Sequence, residues 1–139
     1  MNTTTIARVL LGLPGLFILA SGLMFLLNPT AAADKLLLLP QGTEGLSNLR
    51  GFLGAPVIAI GVSLLLAAKT TKLEYARPAA MFLLLLIVAR LVSYAADGPT
   101  DAIAQLLAVP AVAFGLMLAG HKLLDRATHV RATTANSAA

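Results

Sequence analysis

LSNLRGFLGAPVIAIGVSLLLAA, residues 46–68, decides the fold of this chain. It meets the roughly 20 apolar residues that a helix needs to cross the hydrocarbon core of a bilayer. Near one end it carries Asn48 and Arg50, and Gly51, Gly54, Pro56 and Gly61 interrupt the apolar run beyond them. An arginine at mid-bilayer costs roughly 2.5–3.5 kcal/mol on insertion scales, and less toward the interface. Such a residue needs a partner, a wet cavity or a route to the headgroups. A second one, Arg90, stands in another apolar stretch.

The rest of the composition agrees with a membrane reading. Of 139 residues, 58% are hydrophobic and 12% charged, where a soluble domain has about 25% charged residues. The absence of cysteine excludes disulfides, thiolate metal sites and cysteine nucleophiles, and leaves the redox compartment open. With no tryptophan and two tyrosines, the interfacial aromatic belt is thin. A net charge of +4 reads as the positive-inside bias of a membrane protein, and no nucleic-acid partner is expected.

Three further apolar segments flank residues 46–68. The first span covers about 6–27, with Gly12, Gly15 and Gly22 suited to close helix approach and Pro14 as a kink. Its uncharged run, residues 9–27, is longer than the ~7–15 residues of a signal-peptide core, so the segment is expected to stay in the membrane. Asn28-Pro29 ends it, because a residue before proline leaves the α region. Residues 29–45 form a connection with a short helix, capped by Thr30 and leading through Asp34 and Lys35 into Leu36–Leu39, where Pro40 stops it. That leucine run is too short to span and is expected to lie in the interface, with a lid over the bundle mouth as the alternative. The third span covers 79–96, after a basic loop at 69–78 with Pro78 suited to a first helical turn. The fourth covers 102–124, with Pro110 as a kink. Residues 97–101 form a tight turn, and 126–139 a flexible polar tail. The expected fold is all-α: an integral membrane four-helix bundle forming one domain over 1–125.

Lysine and arginine counts set the orientation. Arg8, Lys69, Lys72, Arg77, Lys122, Arg126 and Arg131 fall on one side, and only Lys35 on the other. Both termini are therefore expected to be cytoplasmic. Arg50 then lies roughly 6 Å, and Arg90 roughly 10 Å, inside the external ends of their helices at 1.5 Å per residue. Arg90, Ser93 or Tyr94, and Asp97 share one helical face, as do Asp101, Gln105 and Ala108. Ser47, Arg50, Gly54 and Gly61 share another. Nearly all intramembrane polarity, Ser21 included, is at one level.

Two readings are open at this point. In one, Arg50 and Arg90 clamp the anionic end of a ligand in an outer polar pocket, with Asn48, Tyr94 and Gln105 as hydrogen-bonding partners. Arginine suits that task because its planar fork binds carboxylate or phosphate at two points and stays charged. In the other, the arginines pair with acids, helix-end carbonyls or lipid phosphates and fix the bundle. Asp97, Asp101 and Glu44 are the candidate acid/base groups if the chain is an enzyme. His121 and His129 lack carboxylates at metal-ligand spacing, so no metal site is expected. Met24, Met81 and Met117 read as packing residues. No phosphate-binding loop, dinucleotide fingerprint, zinc-protease or serine-hydrolase motif is present.

The run NLRGFLGAPVIAIGVSLLLAA, the short basic loop, LLLLIVARLVSYAADGP and the final apolar helix resemble small bacterial four-helix membrane proteins of unknown function, loosely DoxX-like. The resemblance covers residues 6–124 and centres on Asn48, Arg50, Gly51, Arg90 and the Asp97-Gly98 turn. It implies a four-helix bundle in the bacterial inner membrane but supplies no established activity, and a likeness of fold is weak warrant for one. Some DoxX-like relatives accompany quinone-linked sulfur oxidation; without cysteine, a redox role here would need a borrowed cofactor, whose identity is open. Three functions stand as expectations: a binder of an amphipathic or anionic small molecule (a lipid or quinone-like compound), an intramembrane isomerase or hydrolase, and an accessory subunit of a larger membrane complex. Small residues Ala108, Gly115 and Ala119 permit a homo-oligomer.

Overall fold

The computed structural model describes residues 3–98 and 100–136, with side chains through 125 except 102 and 103. Among these residues there are helices and no strands. Four helical stretches are long and apolar enough to cross a membrane: Thr3–Leu27, Gly42–Thr70, Leu73–Asp97 and Ala104–Asp125. In chain order the α-helices are α1 (Thr3–Leu27), α2 (Pro29–Lys35), α3 (Gly42–Asn48), α4 (Ala55–Thr70), α5 (Arg77–Asp97) and α6 (Asp101–Asn136). A π turn, Leu49–Gly54, joins α3 to α4, and a 3-10 turn, Leu73–Ala76, leads into α5.

Helix α1 is central, packing on α4 along one side and on α6 along another. Its contact with α4 is made by glycine. Gly15 and Gly22 of α1 face Gly61, Leu64 and Ile58 of α4, and Gly54 of the π turn lies against Phe25 and Leu26. A methyl group at Gly61 would sit 2.5 Å from the Leu19 nitrogen, and one at Gly22 would sit 2.7 Å from the Ile58 nitrogen. Gly15 and Gly22 are seven residues apart, as are Gly54 and Gly61. That is about two helical turns, so one stripe on each helix brings the backbones together. Gly12 is looser, with the Ala68 Cβ at 3.7 Å from the corresponding position. The core proper runs through Ala7, Leu11, Leu64, Ala67 and Leu83 toward Met117 and Leu124.

Several local details differ from the sequence reading. Asn28, not Thr30, caps α2: its Oδ1 accepts from the Ala31 N–H at 3.2 Å. The shift by two follows from Pro29, which takes the first helical position because it has no N–H to lose there. The leucine run is not helical; α2 stops at Lys35. Pro78 does stand in the first turn of α5. Pro14 and Pro110 are buried inside unbroken helices. Met117 is buried, but Met81 is exposed on α5, since the bundle-facing stripe of that helix passes through Ala79 and Leu83 instead. Helix α6 continues past 124 to Asn136. Pro99 of the expected turn, and residues 137–139 of the tail, lie outside the described residues.

Candidate functional site

The π turn has an identifiable cause. Pro56 has no N–H to offer the carbonyl of Phe52, and its ring would strike that carbonyl in a regular helix. Widening the preceding turn relieves the clash. The Ala55 N–H accordingly bonds the carbonyl of Arg50, five residues back. Single wide turns of this kind concentrate at functional sites.

From this turn Arg50 reaches the end of α1. Its Nε donates to the Leu26 carbonyl at 3.2 Å. Leu26 is in the last turn of α1, where carbonyls lack helical donors and the dipole favours a cation. The two terminal nitrogens of this exposed guanidinium make no hydrogen bond among the described residues. Arg50, Gly54 and Gly61 therefore share the α1-facing side of the second span, as the spacing suggested, and that side is filled by packing. Ser21 bonds back to the Phe17 carbonyl of its own helix at 2.9 Å.

Arg90 is placed differently. On α5 the buried and half-buried positions are Ala79, Ala80, Phe82, Leu83, Leu86, Ile87, Arg90 and Ser93. They recur at intervals of three and four, so they form one helical stripe. Arg90 thus belongs to the face turned toward the bundle. Among the described residues it has no hydrogen-bond or ion-pair partner. Fully buried residues on α5 stop at Leu83, whereas α1 is buried as far as Phe25 and α6 back to Pro110. The half of α5 that carries Arg90 is therefore only partly covered, and α6 is its principal neighbour.

The expected site residues fall into two groups at one end of the bundle. Asn48 ends α3, which packs on the π turn, and Arg50 lies in the π turn, which packs on α1, α4 and α2. Arg90 and Tyr94 sit on α5, with Gln105 on α6. Asn48, Tyr94 and Gln105 are exposed. Glu44 and Asp101 are exposed and occupy the first turns of α3 and α6, where a carboxylate complements the helix dipole. Asp97 is exposed at the last residue of α5. No group of three or more His, Asp or Glu side chains that could hold a metal ion occurs among the described residues.

Two apolar recesses escaped the sequence reading. One, of ≈ 290 Å³, is lined by Leu38, Leu39, Pro40, Asn48, Phe52 and their neighbours. Its signal was present as Leu49 and Leu53 at helical spacing opposite a leucine run, but nothing in the sequence says that the run folds back. The other, of ≈ 340 Å³, lies between Leu13, Pro14 and Phe17 of α1 and Val109, Val112 and Leu116 of α6.

These features define the class: an all-α protein whose four long helices are apolar enough to cross a bilayer, with two arginines at one end. Within that class the chain belongs to the family described as a domain of unknown function, DUF4345, whose model matches residues 6–120. No curated protein and no solved structure matches the chain. The matching family model is not a DoxX one, so the expected DoxX-like resemblance gains no support from it.

Proposed function

We propose that this chain is a multi-pass protein of the bacterial inner membrane that binds an amphipathic molecule by its anionic end, with Arg90 as the principal contact. The observation that carries the reading is a cation on the bundle-facing stripe of an apolar helix, half-buried and without a counter-charge among the described residues. A charge taken out of water needs an opposite charge or strong hydrogen bonds, and a carboxylate or phosphate supplies both to a guanidinium. Tyr94, one turn along α5, and Gln105, across the short connection to α6, are within reach of the same level as hydrogen-bonding groups. The apolar remainder of the ligand would lie along the uncovered half of α5. Arg50 and Asn48, on the second span, stand apart from this contact, and Arg50 has already committed one nitrogen to the Leu26 carbonyl.

With both termini cytoplasmic, as the lysine and arginine bias indicates, the ligand end faces the outer leaflet. The acid/base reading gains nothing from Glu44, Asp97 and Asp101, which are exposed at helix ends.

The test is a native mass-spectrometric titration of the purified full chain with phosphatidylglycerol against phosphatidylcholine. Arg90→Gln should lose the preference for the anionic lipid by about tenfold, the equivalent of roughly 1.4 kcal/mol, with helicity unchanged; Arg90→Lys should retain part of it. Equal binding of both lipids by the wild-type chain, or an unaltered preference in Arg90→Gln, would end the proposal.

A further inference from the structure

The chain leaves α2 through a turn that leucine rarely makes. Leu37 has φ of 57°, and the N–H groups of Leu37 and Leu38 bond the carbonyls of Asp34 and Ala33 at 3.1 and 2.9 Å. This paired closure of a helix C-terminus normally has glycine in the left-handed position, because a Cβ there crowds the following carbonyl oxygen. The outcome is an apolar projection. Leu37 is 77% exposed, Leu39 92% and Phe52 78%. Between Leu38, Leu39 and Pro40 on one side and Asn48, Leu49, Phe52 and Leu53 on the other lies the open groove of ≈ 290 Å³. That is close to the lower bound of about 300–1,000 Å³ for small-molecule pockets.

The length of the second span fixes the level of this groove. Gly42–Thr70 has 29 residues, about 43 Å of helix at 1.5 Å per residue, against a hydrocarbon core of about 30 Å. With Lys69 at one boundary, about 20 residues bring the other boundary to Leu49 or Arg50. Asn48 then stands among headgroups, and Leu49, Phe52 and Leu53 stand just inside the hydrocarbon. Asn48 also supplies the one polar side chain in the groove lining. A polar rim over an apolar floor, at the depth where lipid esters meet acyl chains, is complementary to a phospholipid. Each leucine or phenylalanine side chain taken out of water gains more than one left-handed residue costs, so three placed in the leaflet outweigh the strain of the Leu37 turn.

We propose that this groove holds one acyl chain of a membrane phospholipid, its glycerol ester region at the Asn48 amide, while Leu37, Leu39 and Phe52 anchor the connection in the surrounding leaflet. No charged side chain lines the groove, so the lipid is taken irrespective of headgroup. This separates the proposal from the anion preference assigned to Arg90.

The chain contains no tryptophan, so one introduced tryptophan is a clean reporter. Leu39→Trp and Phe52→Trp full-length chains in phosphatidylcholine vesicles should be quenched at least twofold by lipid brominated on its acyl chains, and little by aqueous acrylamide. Strong acrylamide quenching with no effect of bromine would place the connection in water and overturn the anchor. Protection from both quenchers, lost when protein is diluted in the vesicle, would assign the surface to a second copy and overturn it equally. For the groove, the wild-type chain should keep one phosphatidylcholine through detergent exchange, counted by native mass spectrometry. Leu49→Trp and Leu38→Trp, which fill the groove from opposite walls, should each lose it. Retention of that lipid by either folded variant would overturn the acyl-chain site.

Discussion

Arg50 and Arg90 look alike in the sequence and do different work. Arg50 is spent in part on the carbonyl end of α1, and its value is that of a cation at a helix C-terminus, about 0.3–1 kcal/mol and near the upper end when hydrogen-bonded. Arg50→Gln should therefore lower thermal stability in detergent by about 1 kcal/mol, with little change in lipid preference, the reverse of the pattern expected for Arg90→Gln. The reach of Arg50 depends on the wide turn that Pro56 imposes. A double-mutant cycle checks this link: in a Pro56→Ala background, Arg50→Gln should have almost no further effect on melting temperature. Additive effects would mean that Arg50 finds the α1 terminus whatever the register of the turn. Both residues were visible as anomalies in an apolar run. Which of them had a backbone partner was not, because Leu26 is 24 positions away in the chain.

Among the elements, the α1–α4 contact has the least tolerance. At Gly61 and Gly22 the nearest atoms to an added methyl group are backbone nitrogens of the opposing helix, which cannot turn aside as a side chain can. Gly61→Leu should part the two helices and cost more than the 1–3 kcal/mol typical of an overpacked core. Gly115→Leu, where nothing lies within 4 Å, should leave the melting temperature near that of wild type. Equal losses at both positions would count against close packing at Gly61, since leucine is the better helix former at either site. The glycines at 15, 22, 54 and 61 were legible as packing signals, because small residues in apolar helices mark close approach. The leucine run was not legible in the same way: its apolar character was plain, but the left-handed turn at Leu37 arises from closure of α2, a local hydrogen-bonding choice that composition does not encode.

For the molecule as a whole, orientation is the property most directly open to test. The absence of cysteine permits single-cysteine labelling in intact cells. A membrane-impermeant maleimide should modify Gln41→Cys and leave Lys72→Cys unlabelled until the membrane is broken; the opposite pattern would invert the topology and move the end that carries Arg50 and Arg90 to the cytoplasm. The sequence by itself determined that this is an all-α chain with four bilayer-length apolar helices, because hydrophobic length and the need to satisfy every backbone N–H and C=O within lipid leave few alternatives. It also located the polarity at one end. Only the tertiary structure decided that α1 is the central helix, that Arg50 caps it, that Arg90 faces the bundle with no partner among the described residues, and that the leucine run folds back to make a groove. Those outcomes depend on which helix faces meet. Apolar helices in lipid gain no hydrophobic energy by choosing one neighbour over another, so the choice falls to close backbone packing and a few polar contacts between residues far apart in the chain.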